Sequence, residues 1–136
     1  MKLYTDQGYL DLDYVLSKKC PFTLVIGGRG TGKTFGFLEE FRLVHPRPFI
    51  LMRRSQVETD LISKPDFTPF RAVDRIRGCS TVVKKLSKYH AGIYNGSLND
   101  DGTVSPSGPL LGYTAALSTL HNVRGFSADD VEDLIL

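Results

Sequence analysis

The chain has 136 residues and a mass of 15.1 kDa, enough for one domain and too few for two. Hydrophobic residues make up 41% and charged residues 24%, an ordinary globular composition, and no apolar run approaches the roughly 20 residues that cross a bilayer. The opening stretch MKLYTDQ lacks the basic-then-apolar order of a secretory signal, so a soluble intracellular protein is expected, with no membrane partner.

The net charge of +2 is too small to point to nucleic acid by itself. Its distribution is uneven: Arg53, Arg54, Arg71, Arg75, Arg77, Lys84, Lys85 and Lys88 crowd the middle, while Asp129, Asp130, Glu132 and Asp133 stand near the end. Solvated charged faces account for such runs without a partner. Cys20 and Cys79 form no CxxC or Cys/His pattern, which offers neither a zinc site nor a disulfide framework. His45, His90 and His121 are isolated, and neither cysteine has a recognisable base beside it.

Taken in chain order, Leu10, Leu12, Val15 and Leu16 make a short helical stripe. Phe22-Thr23-Leu24-Val25-Ile26 is a compact, partly β-branched run ending in glycines, which predicts a buried strand. From Lys33 to Val44, the residues Phe37, Leu38, Phe41 and Val44 recur at helical spacing, and His45-Pro46-Arg47-Pro48 ends the helix. Phe49-Ile50-Leu51-Met52 is a second strand, so 22–52 reads as a βαβ unit with parallel strands. Residues 55–80 are less regular, with a helix around 69–77. Thr81-Val82-Val83 and Ile93-Tyr94 are β-like, and Asn95-Gly96 and 99–102 carry turn chemistry. The least order is expected over 95–109, with further strands over 110–119 and 131–136.

Between the first strand and its helix lies Gly27-Gly28-Arg29-Gly30-Thr31-Gly32-Lys33-Thr34, a full G-x-x-x-x-G-K-[ST] pattern. Glycines let the backbone wrap closely around a phosphate, and a helix N-terminus adds its positive end. Lys33 supplies a point charge for the β and γ phosphates, and the Thr34 hydroxyl can ligate Mg²⁺. A ligand-free glycine turn would not require lysine and threonine there. A dinucleotide fingerprint starting at Gly28 would need glycine at position 33. The pattern therefore points to a nucleoside triphosphate, with ATP and Mg²⁺ as the expected ligands.

The longer string from Leu24 to Thr34 resembles the ATPase domain of tailed-phage DNA-packaging motors, the large terminase subunits and especially the encapsidation ATPases of small podovirus-type phages. Those proteins commonly carry an arginine inside the loop, where Arg29 stands. Phe49 to Met52 running into Arg53-Arg54-Ser55 and Glu58 looks like their second strand, which typically ends in a basic pair. Ala116 to Thr119, Asn122 to Phe126 and Val131 to Leu136 resemble the approach to their Walker B strand. The resemblance covers roughly 22–60 and 110–136. It implies an ASCE/RecA-like α/β P-loop fold: a three-layer sandwich with a mostly parallel central sheet and an antiparallel excursion over 81–118.

By that resemblance Lys33 and Thr34 hold phosphate and Mg²⁺, and Arg29 reaches the γ-phosphate in cis or across a ring interface. Arg124 contacts nucleotide on a neighbouring subunit. A solvent-exposed loop role is the alternative for both arginines. The implied partners are double-stranded DNA, a phage portal or capsid and further copies of the chain in a ring, in the host-cell cytoplasm of a phage- or prophage-encoded protein. The family's Walker B aspartate and glutamate would follow Leu136, and Asp129, Asp130, Glu132 and Asp133 precede the strand. The expectation is one P-loop ATPase domain over 1–136, shortened at its C-terminal end, that binds nucleotide but hydrolyses it poorly. A small-molecule kinase, a helicase-like ATPase or a non-catalytic nucleotide-binding remnant are the other readings. A kinase needs an acceptor site and an arginine-bearing lid, and 95–109 offers no such lid.

Overall fold

The computed structural model describes residues 2–21, 23–122, 131 and 133–136. In chain order they form helix α1 (Leu12–Leu16), helix α2 (Lys33–Glu39) running on into a π-helical turn (Glu40–Val44), and strand β1 (Phe49–Arg53). Helices α3 (Gln56–Ile62) and α4 (Phe70–Arg77) follow, then strands β2 (Thr81–Lys85), β3 (His90–Leu98) and β4 (Val104–Ala116), a 3-10 turn (Leu117–Asn122) and strand β5 (Asp133–Ile135).

Local chemistry explains where the helices start and stop. Asp11 caps α1 through a bond from the Tyr14 amide. Ser55 and Glu58 form a reciprocal capping box at α3, and those bonds from Ser55 hold the Glu58 carboxyl below its ordinary pKa, with Arg54 and Arg53 adding to the effect. Gly78 ends α4 in the left-handed conformation. The α2 segment stops before Pro46, as its sequence predicts.

The sheet has the order β2-β3-β4-β1-β5. β1 runs parallel to β4 on one side and to β5 on the other, whereas β2–β3 and β3–β4 are antiparallel. The fold is thus α/β with a five-stranded mixed sheet, half parallel and half antiparallel rather than mostly parallel. Among the described residues, α2, α3 and α4 pack on one face of the sheet rather than on both, as a three-layer sandwich would place them. Phe49 and Leu51 face them, forming the core with Leu38, Phe41, Phe70, Val73 and Ile93. The rings of Phe37, Phe41, Phe49 and Phe70 follow one another at centroid separations of 6.0, 5.9 and 6.4 Å. Opposite Phe49 stands Gly112, where a Cβ would come within 2.6 Å of the Phe49 carbonyl oxygen, so only glycine fits.

Polar groups tie the layers together. Buried Arg42 donates to Thr81 Oγ1 (2.8 Å), the Ser80 carbonyl (2.7 Å) and Asn95 Oδ1 (2.9 Å). Asp74 accepts from the Thr81 amide and hydroxyl and from the Cys79 thiol, whose pKa burial and then the Asp74 hydrogen bond push up. Arg47 binds Asp133 at 2.5 Å and lies over the Phe41 ring, fastening the end of α2 to β5. Asp133 therefore opens β5 as an ion-pair partner.

Three further expectations need correction. Residues 23–26 form no strand, and Leu24 and Ile26 are 85% and 80% exposed. Both hydrogen-bonding edges of β1 are taken by β4 and β5, so no parallel pairing of 22–26 with β1 is open to it; Phe22 lies outside the described residues. The second concerns 95–109, which is ordered: β3 reaches Leu98, β4 begins at Val104, and Asn99 and Thr103 close the turn with a 2.8 Å backbone bond. Last, Asn95-Gly96 lies inside β3, paired with Ser107 and Pro106 just past the register shifts on either side of Tyr94, rather than in a turn.

Truncating Phe49 to alanine is expected to cost about 3–5 kcal/mol in chemical denaturation, from the lost ring and the cavity it leaves. Leu24→Ser, at a position first read as buried, is expected to change stability by no more than about 0.5 kcal/mol.

Candidate functional site

The glycine-rich segment 27–32 runs straight into α2, whose first helical residue is Lys33. Gly30 and Gly32 have φ of +79° and +76°, a conformation that side chains resist and that brings the chain round within a few residues. Gly32 is the N-cap and has no side chain with which to close the first turn. The amides there are left for another acceptor.

Lys33 turns back into the loop. Its ammonium donates to the carbonyls of Gly27 (2.7 Å) and Gly28 (2.6 Å) and to Thr31 Oγ1 (3.0 Å), which uses all three of its protons. Thr31 in turn donates to the Gly28 carbonyl at 3.0 Å. The loop thus closes through its own oxygens on the Lys33 ammonium, whose charge is held by contacts inside the loop.

Two other residues named from the sequence are less engaged. Arg29 and Thr34 are exposed, and neither side chain makes a hydrogen bond or ion pair among the described residues. The structure thus brings Gly27, Gly28, Thr31 and Lys33 together, with Gly30 and Gly32 shaping the path, and leaves Arg29 and Thr34 available at its surface. Arg124 lies outside the described residues, as do Asp129, Asp130 and Glu132.

The N-terminal segment flanks this loop, which sequence reasoning missed. A Cβ at Gly27 would sit 3.5 Å from each of Lys33 Nζ, Thr31 Oγ1 and Tyr4 Oη, so those three polar groups converge there. The Tyr9 ring lies against Gly32, the Leu10 amide donates to the Thr31 carbonyl at 3.0 Å, and Leu12 of α1 packs on Gly36 of α2. The visible signal was small: a glycine inside α2 opposite an apolar stripe over 10–16.

At the carboxyl end of β1, Arg53 is partly buried and donates to the neighbouring Met52 carbonyl at 3.3 Å. Burial pulls its pKa below the ordinary value, against the attraction of Glu58. Arg54 is exposed, and its carbonyl accepts from the Ser118 amide. No hydrogen bond or ion pair among the described residues joins the glycine loop to Arg53 or Arg54. The β2–β3 lysines are spread out: Lys85 pairs with Asp60 at 3.7 Å and Lys88 lies over the Tyr89 ring. Among the described residues no cluster of three or more His, Cys, Asp or Glu side chains could hold a metal ion. A Mg²⁺ held by one hydroxyl and a nucleotide's own phosphates requires no such cluster. Among the described residues no helix is long and apolar enough to cross a membrane.

Comparison with known protein families, curated proteins and solved structures finds no match.

Gly32→Ala is expected to destabilise the chain by about 1–2 kcal/mol in urea unfolding, because the new Cβ meets a left-handed backbone and stands 3.1 Å from Tyr9 Cδ1. Gly28→Ala, with open space around its Cβ position, is expected to cost little.

Proposed function

We propose that this chain is the ATP-binding part of a P-loop ATPase domain of ASCE/RecA-like type, belonging to a viral motor that packages double-stranded DNA. The observation that carries the nucleotide part is the closure of the Lys33 ammonium on the Gly27 and Gly28 carbonyls within a complete G-x-x-x-x-G-K-[ST] loop at the start of α2. A lysine held by loop carbonyls and the Thr31 hydroxyl can exchange those partners for phosphate oxygens, and charge-assisted bonds to phosphate are the stronger ones.

In this reading Lys33 binds the β and γ phosphates, and the backbone of Gly27 to Gly32 surrounds them. The Thr34 hydroxyl, exposed at the helix start, takes one position on Mg²⁺, which supplies charge neutralisation between the phosphates. Arg29, exposed and without a side-chain partner among the described residues, would approach the γ-phosphate of its own or a neighbouring subunit. Support for the motor part comes from sequence: the arginine within the loop, the basic pair Arg53-Arg54 after β1 and the run leading to β5. Coupling to DNA, a portal or capsid partner and a ring of subunits in the host cytoplasm belong to the same proposal.

Binding is the direct test, since it reads the loop without requiring the family's catalytic carboxylates. Calorimetric titration with Mg²⁺-ATPγS is expected to saturate at one site per chain. Lys33→Ala is expected to weaken binding by roughly tenfold to a hundredfold, the usual effect of losing hydrogen bonds to a charged group. Equal binding by wild type and variant would contradict the assignment. The packaging reading further expects double-stranded DNA to raise ATP hydrolysis, and hydrolysis indifferent to DNA would contradict it.

A further inference from the structure

A second cavity lies away from the glycine loop, between α3 and the sheet. Pairing registers place Leu51, Thr114, Ala91 and Lys85 in one row across β1, β4, β3 and β2. That row shares the helix-covered face with Phe49. In the neighbouring row the Phe49 ring fills the space that Gly112 leaves open. Here Ala91 and Thr114 are too small to fill the gap beneath α3, and a cavity of about 320 Å³ remains.

Its floor contains an unsatisfied group. Thr114 is fully buried, and its hydroxyl has no hydrogen-bond partner among the described residues. Buried hydroxyls without a partner are rare, and each calls for an explanation. The neighbouring hydroxyls are committed: Thr59 donates to the Ser55 and Ala115 carbonyls, and Ser63 donates to the Thr59 carbonyl. At the rim, Lys85 pairs with Asp60 at 3.7 Å, which largely cancels both charges, while Lys64 is exposed and makes no ion pair. Gln56 bonds Asp60 and Thr119, and His90, whose pKa burial lowers, contacts the Ser87 hydroxyl, so among the described residues Lys64 is the lining cation without an ion pair and Thr114 the lining hydroxyl without a partner.

We propose that this cavity binds a small molecule carrying a single anionic oxygen group, a phosphate monoester or a carboxylate. Its oxygens accept from the Thr114 hydroxyl and face the Lys64 ammonium, while its apolar part rests on Ala91 and the methyl groups of Thr59 and Thr114. The cavity is larger than an inorganic anion needs, and its volume lies at the low end of the range for small-molecule sites. The inference stands independently of nucleotide binding at Lys33.

The test uses butyl phosphate and valerate, matched in apolar tail and different in anionic group, with amide chemical shifts as the readout. It is done on wild type and on Lys33→Ala, so that phosphate entering the glycine loop is recognised separately. The expected result is saturable shifts at Thr59, Ser63 and Ala91 in both backgrounds with at least one probe, the stronger probe identifying the anionic group. Lys64→Gln, at an exposed position, is expected to weaken binding about tenfold. Thr114→Val is expected to weaken binding as well, while leaving the melting temperature of the ligand-free protein equal or higher, because it removes an unsatisfied hydroxyl. Shifts confined to residues 27–34, no saturation with either probe, or binding unaffected by Lys64→Gln would overturn the proposal. A lower melting temperature for ligand-free Thr114→Val would also overturn it, since the hydroxyl would then already have a partner such as a buried water.

Discussion

The position of Phe49 constrains both the sheet and the helices packed on it. Its backbone begins β1, the strand flanked by parallel partners on both sides, opposite Gly112 in β4 and Asp133 in β5. Its ring stands between Phe41 of the α2 segment and Phe70 of α4. Gly112 must be glycine because the Phe49 carbonyl occupies the space of its Cβ. Strand order, helix docking and the attachment of β5 thus meet at one residue. Arg47, two residues before it, adds the ion pair to Asp133 that holds the short β5 in place.

The candidate nucleotide loop depends on this core through α2. Leu38 and Phe41 anchor the far end of the helical segment, so the start of α2 presents Lys33 back towards Gly27 and Gly28. The N-terminal segment supports the loop from the other side through Tyr9, Leu10 and Leu12. Ligand entry would replace lysine–carbonyl contacts by lysine–phosphate contacts, a change within the loop that leaves the core intact. The cost of breaking the existing bonds sets an internal competitor for any phosphate, so observed affinity measures a difference between two sets of charge-assisted bonds.

Several elements were legible: the helical spacing of Phe37, Leu38 and Phe41 with its proline stop, the run 49–52 and the helix around 69–77, whereas Val44, read on the same packing face, is 53% exposed. The α3 helix was missed because its apolar positions are few and its clearest signal is the Ser55–Glu58 capping box. Asn95-Gly96 carries hairpin chemistry but lies within a strand, where pairing with β4 and the 2.9 Å bond from the Gly96 amide to the Ser80 carbonyl outweigh the local preference. The run 22–26 has strand composition and no strand partner, because pairing is decided by which edges are open and composition cannot report that. The cavity under α3 was invisible for the same reason: only the register shows that Thr114 and Ala91 are adjacent.

The central claim is that residues 27–34 form a phosphate-binding loop whose lysine leaves its own carbonyls when ligand enters. Backbone amide chemical shifts recorded during titration with Mg²⁺-ADP test it most directly, because every residue of the loop reports separately. The account predicts large, saturable shifts over Gly28 to Thr34, with small changes at Phe49 and Phe70 in the core. Shifts that are absent from the loop, or equally large throughout the core, would contradict it.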